Sequence, residues 1–163
     1  MLISHKGLWG YVAAVLLLSS TSAVACVMAP PASPEETAAR ILKYQTDLWT
    51  RSESVFLARV TRHGTVRMEW GSGLWAELTP VLQLKGARAT ERTRIQHTGF
   101  TSCGPAPFLD ALHPTPDDFY IVYSASEAPA PGSIDATLRL PALVEPLAIA
   151  AWNEAASRGA DQD

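Results

Sequence analysis

Two spatial periods divide the chain. From Ser33 the apolar positions recur at helical spacing: Ala38, Ile41, Leu42, Leu48 and Trp49 fall on one stripe, with Arg40, Lys43 and Asp47 off it. That pattern predicts a helix over residues 34–50 lying against something apolar. Ser33-Pro34-Glu35-Glu36 marks its start, with a capping hydroxyl, a proline at the first helical position and a glutamate three residues after the cap. Beyond it the period drops to two. Phe56, Ala58 and Val60 share a face in residues 55–60; Leu78, Leu82 and Leu84 do so in residues 74–84, where Pro80 signals a bulge or a sheet edge. Thr93, Ile95 and His97 alternate with Arg94 and Gln96, and Phe119, Ile121 and Tyr123 with Tyr120 and Val122; residues 137–140 give a last candidate strand. His63-Gly64 and Gly71-Ser72-Gly73 supply turn chemistry around a short extra strand at residues 66–70. Pro146 opens a final apolar stretch that stops at Gly159, which predicts a short terminal helix, with residues 160–163 as a frayed tail.

These elements predict a mainly β fold of five to six strands with an N-terminal and a short C-terminal helix. A small closed or half-closed barrel is the preferred arrangement, because closure hides edges that an open sheet would expose. A sandwich is the competitor. The span from residue 99 to 118 is irregular, carries four prolines and Cys103, and is long enough to need a tether.

The chain upstream of Ser33 has a different character. Lys6 is followed by seven consecutive apolar residues, Val12 to Leu18, too few to span a bilayer, and then by a Ser/Thr run and Ala23-Val24-Ala25. This Ala23-Val24-Ala25 tail supplies small residues at the two positions a signal peptidase inspects, which predicts a secretory signal over residues 1–25, with Cys26 as the first mature residue and one domain over residues 26–159. The expected location is therefore secreted or periplasmic, with no transmembrane segment after signal removal. Lys6 is the only charge removed, so the net charge of −3 becomes −4. Such a mild acidic balance gives no reason to expect nucleic acid as a partner.

Cys26 and Cys103 are the only cysteines. In an oxidising compartment two thiols tend to pair, and closing a loop of about 78 residues would stabilise the fold by roughly 4 kcal/mol. The alternative is a lipid-anchored envelope protein in which Cys26 is acylated and Cys103 stays single. Ala23, three residues before Cys26, stands where lipoprotein signals usually carry Leu.

Catalytic patterns are sparse. His63, His97 and His113 are scattered without metal-ligand spacing, and the chain has no phosphate loop or nucleophile elbow. Asp117-Asp118 reads as a solvated turn before a strand. A thiol hydrolase using Cys103 with His97 or His113 as base requires a free thiol, and so excludes the disulfide. The expectation is a non-enzyme without a cofactor. Trp70 and Trp75, beside the glycine turn, are candidates for a contact surface or for core.

Cys26-Val27-Met28-Ala29-Pro30-Pro31, a following helix, "VFLARV", "LKG" at residues 84–86, "TSCG" at 101–104 and "DFYIVY" at 118–123 together resemble the bacterial relatives of the tissue inhibitors of metalloproteinases. These belong to the netrin-like group of OB-fold barrels, and the similarity covers most of the mature chain. The resemblance implies that Cys26 is disulfide-bonded to Cys103 and that its α-amine and carbonyl chelate the zinc of a target protease. It also implies that Val27 enters the specificity pocket, with Met28 beside it in the partner-binding segment. An α-amine titrates near pH 8 and can occupy the open position of a catalytic zinc. Met28 stands where the inhibitors carry a second cysteine, and their further cysteines are missing. The resemblance thus implies an exported binding domain, with metalloprotease inhibition as its sharper form and another extracytoplasmic protein as the broader partner.

Overall fold

The computed structural model describes residues 32–69, 71–99 and 108–160. Helix α1 (Pro34–Arg51) leads into strands β1 (Ser54–Met68), β2 (Gly71–Lys85), β3 (Thr93–His97), β4 (Phe119–Ser124) and β5 (Ile134–Arg139), and helix α2 (Pro146–Ala160) follows; short 3-10 turns occupy Asp110–Leu112 and Leu140–Ala142. The fold is mainly β, with the five strands in one sheet in the order β3-β2-β1-β4-β5 and every neighbour antiparallel.

The capping signature at Ser33 does what its chemistry allows. The Ser33 hydroxyl accepts the Glu36 N–H at 3.1 Å and the Glu36 carboxylate accepts the Ser33 N–H at 3.0 Å, so two orphan donors of the first turn are satisfied. The predicted apolar stripe is only half used. Leu48 is fully buried and Trp49 partly so, but Ala38 is exposed and Ile41 and Leu42 are 44% and 41% exposed. α1 meets the sheet through its C-terminal half, and its first turns run past it. Gln45, one turn before Leu48, is buried instead: its Nε2 donates to the Ala142 carbonyl at 2.8 Å, and its Oε1 accepts from the N–H groups of Val144 (2.8 Å) and Glu145 (3.1 Å). The buried Glu145 carboxylate accepts the Ala148 N–H at 2.7 Å at the start of α2. Polar groups so matched cost little to bury, and they tie both helices together.

Alternation along β1 and β4 divides the apolar residues between the two sides of the sheet. Phe56, Ala58, Ala76, Leu78, Ile95, Tyr120 and Val122 pack with Ala111 and Leu112 of the first 3-10 turn. Val55, Leu57, Ile121, Tyr123, Ala136 and Leu138 pack with Leu48 of α1, and Trp152 of α2 joins them. The first 3-10 turn also reaches β5: Leu109 forms a parallel bridge with Thr137, the Thr137 N–H donates to the Phe108 carbonyl at 2.8 Å, and the Ala111 N–H donates to the Thr137 hydroxyl at 3.0 Å.

β1 and β2 form one long hairpin, which corrects the predicted pair of turns and the separate strand at residues 66–70. His63 and Gly64 lie in mid-strand, opposite Ala76 and Trp75, and Gly71 to Gly73 open β2. Gly64 marks a close approach and not a turn, since a Cβ there would stand 3.2 Å from the indole Nε1 of Trp75. Pro80, opposite Ala58, sits next to a register shift and beyond the reach of β3, which pairs only with residues 74–78; its missing N–H therefore costs no bond to β3. After β2, Gly86 adopts a left-handed φ of 81°, where a Cβ would also run into the Glu53 carbonyl. Gln83 holds this corner, donating to the Ser54 hydroxyl (3.0 Å) and the Val55 carbonyl (3.2 Å) and accepting the Ala89 N–H (2.9 Å). β5 is longer at its start than residues 137–140 suggested, and Leu140 belongs to the turn after it. Among the described residues no helix is long and apolar enough to cross a membrane.

Candidate functional site

Cys26, Val27, Met28 and Cys103, with the signal segment and Trp70, lie outside the described residues. Those that are described fall at several places. His63 and Asp117-Asp118 line one cleft of ≈ 320 Å³, together with Arg59 and Thr61. His97 ends β3 with its Nε2 buried and without a partner among the described residues, while His113 is exposed after the first 3-10 turn and its carbonyl accepts from Arg139 at 3.2 Å. A second cleft of ≈ 400 Å³ lies between residues 87–91 and 127–129; neither histidine lines either of these clefts. Among the described residues no three His, Cys, Asp or Glu side chains stand together as a metal site.

The first cleft lies where the hairpin loses its neighbour. β4 pairs with β1 only from Ser54 to Arg59, ending at Arg59 opposite Phe119. Thr61 is the extra residue of a bulge between Val60 and Arg62, and its hydroxyl contacts the Glu77 carboxylate at 3.3 Å and the Thr79 hydroxyl at 3.2 Å. On the other wall the Thr115 N–H donates to the Tyr120 hydroxyl at 3.0 Å and the Asp118 carboxylate lies 3.8 Å from Arg139 Nε. Asp117 is exposed at a left-handed φ of 65°, a conformation that short polar side chains tolerate in turns. The turn reading of this acidic pair agrees with its place.

From residue 61 to 68 the side of β1 turned away from β2 pairs with no strand among the described residues. Arg62 and Arg67 project from this stretch with His63 between them, Arg59 stands just before it at the end of the β4 pairing, and all four are exposed. Among the described residues none of the three arginines is in an ion pair, and Arg59 lies 4.4 Å over the Phe119 ring. Behind them Trp75 is half-buried across Gly64 with the Arg94 guanidinium 4.3 Å over its ring, and Glu77 is 3.5 Å from Arg92. Trp75 is thus packed into the arm on both sides. Sequence reading missed this cationic edge; three arginines within nine residues of an acidic chain were the available signal.

A third feature borders the span that carries Cys103. Phe108 adopts a left-handed φ of 76° and stacks on Tyr44 of α1, with ring centroids 4.0 Å apart and planes inclined by 28°. Burial pushes the Tyr44 phenol up to about 12; Asp135 and Asp110 add to the rise and Arg51 opposes it. Tyr123, on the same side of the sheet, is fully buried with no partner for its hydroxyl among the described residues. Its pKa is also raised, by burial first and then by Glu145 and Tyr44.

No family model matches the chain, and neither a curated protein nor a solved structure matches it.

Proposed function

We propose that this chain is an exported, netrin-like binding domain of the OB-fold kind, which presents a processed N-terminus at Cys26 to a zinc metalloprotease. The observation that carries the reading is the strand order. A three-strand meander, with β4 returning to the free side of β1 and β5 beyond it, is the order of an OB barrel, and the Leu109–Thr137 bridge brings the connecting segment to the β5 edge.

This function needs the Cys26–Cys103 cross-link that the resemblance implies. Phe108 is the first described residue after the segment that carries Cys103, and α1 begins eight residues after Cys26. A cross-linked N-terminus loses little entropy on docking.

The test compares the mature chain beginning at Cys26 with the same chain carrying one extra alanine before it, each against a panel of zinc proteases. Inhibition by the first and its loss in the second is expected, because acylating the α-amine removes the ligand. Absence of inhibition by a chain whose intact mass confirms the Cys26 start overturns the reading. The same mass, with and without reductant, reports cross-linking and any acyl chain on Cys26.

A further inference from the structure

We propose that the outer edge of β1, residues 61–68, receives an extended acidic segment of a partner protein as an added strand. The inference goes beyond the reading above and needs neither Cys26 nor the cross-link.

A strand edge without a neighbour leaves every second residue with an N–H and a C=O facing outward, a ready template for main-chain pairing. β1 has fifteen residues while its partner β4 has six, so the edge is a consequence of unequal strand lengths. Eight consecutive residues without proline give a template about 26 Å long. The bulge at Thr61 divides it from the part that β4 covers.

Charge selects the occupant. Arg62 and Arg67 are five positions apart, so they project from opposite faces of the strand. Among the described residues neither is held in an ion pair: Glu77, the cross-strand neighbour of Arg62, lies 3.5 Å from Arg92 and contacts Thr61, Asp118 faces Arg139, and Arg67 is opposite Ser72. Asp117 at the cleft and Glu69 beyond Met68 stand at the two ends of the edge. They disfavour acid at the ends of a bound segment and confine it to the places facing the arginines. Two carboxylates five residues apart, one on each face, are therefore the matching pattern. A second copy of this chain is the wrong occupant. Antiparallel pairing about the Gly64–Thr65 peptide would set Arg62 of one copy opposite Arg67 of the other, and like charges directly opposite are destabilising.

The probe is a fluorescent eight-residue peptide of valine and threonine with glutamate at its second and seventh places, titrated into the full chain at low salt. Companion peptides carry lysine at those places, or keep the glutamates and are N-methylated on every second amide in one phase or the other. Binding of the acidic peptide, with one methylated phase inactive and the other retained, is expected. The lysine peptide should not bind, and the Arg62→Glu/Arg67→Glu double variant should weaken the acidic peptide about tenfold or more and admit the lysine one. The methylated peptides need no variant, so the test survives a double variant that fails to fold. No binding, equal binding of both charges, or indifference to methylation in both phases overturns the proposal. So does peptide-free, concentration-dependent dimerisation that protects the amides of residues 61–68. Each of these failures leaves the Cys26 inhibition assay untouched.

Discussion

The β1–β2 hairpin has two halves built from the same two strands, and they differ in almost everything but backbone. In the root, residues 54–58 of β1 are buried on both faces, flanked by β2 and β4 and covered by α1 on one side and the first 3-10 turn on the other. In the arm, residues 61–68 are exposed or half-buried and, among the described residues, keep only β2 as a partner. The root is held by apolar packing. The arm is held by local polar contacts around Thr61 and by the Trp75–Arg94 stack. Stability and accessibility are thus divided between two ends of one element.

The largest effect should come from emptying the root. Phe56→Ala removes a fully buried ring from the cluster that packs with Ala111 and Leu112, and a loss of about 3–5 kcal/mol is expected in urea unfolding, against less than about 1 kcal/mol for Val66→Ala in the arm. Similar losses at both positions would erase the distinction. Gln45→Ala leaves the Ala142 carbonyl and the N–H groups of Val144 and Glu145 unmatched behind the root, and should cost about 2–3 kcal/mol by the same measurement.

Alkali should weaken the root next. Tyr44 and Tyr123 both have folded pKa values above the unfolded value near 10. The folded state therefore holds these protons more tightly, and the stability they contribute is complete below pH 10 and lost as pH rises through the folded values. Unfolding free energy should be flat up to about pH 10 and then fall, by about 1.4 kcal/mol per pH unit for Tyr123 alone. A fall beginning well below pH 10 would place its cause elsewhere. The smallest effect belongs to the arm: Gly64→Ala forces the Trp75 indole to give by a few tenths of an ångström, so its fluorescence should shift while stability changes by less than about 1 kcal/mol.

The chain announces what is local. The Ser33 cap, the period-two run of β3 and the proline start of α2 are all chemistry within a few residues, and the structure places them where that chemistry does. What depends on distant partners was not legible. Ile41 and Leu42 fit the apolar stripe, yet they are exposed because the sheet does not extend under the first turns of α1. Gly64 resembles a turn residue until Trp75, eleven residues on, is known to lie across it. The free edge follows from the difference in length between β1 and β4, and no periodicity within β1 reports the length of its neighbour. Gln45 could have been found, since it falls on the same stripe as Ile41 and Leu48. Cys26, offered for zinc chelation, Val27 and Met28, offered for partner contact, and Cys103, the cross-linking partner, lie outside the described residues, so the site that the structure adds is a different one, at Arg59, Arg62 and Arg67.

Native-state hydrogen exchange along β1 tests the division of the hairpin most directly. The amides of Val55, Phe56, Leu57 and Ala58 should exchange only through global unfolding, while those of residues 61–68 that face away from β2 should exchange orders of magnitude faster. Uniform protection from Val55 to Met68 would contradict the account.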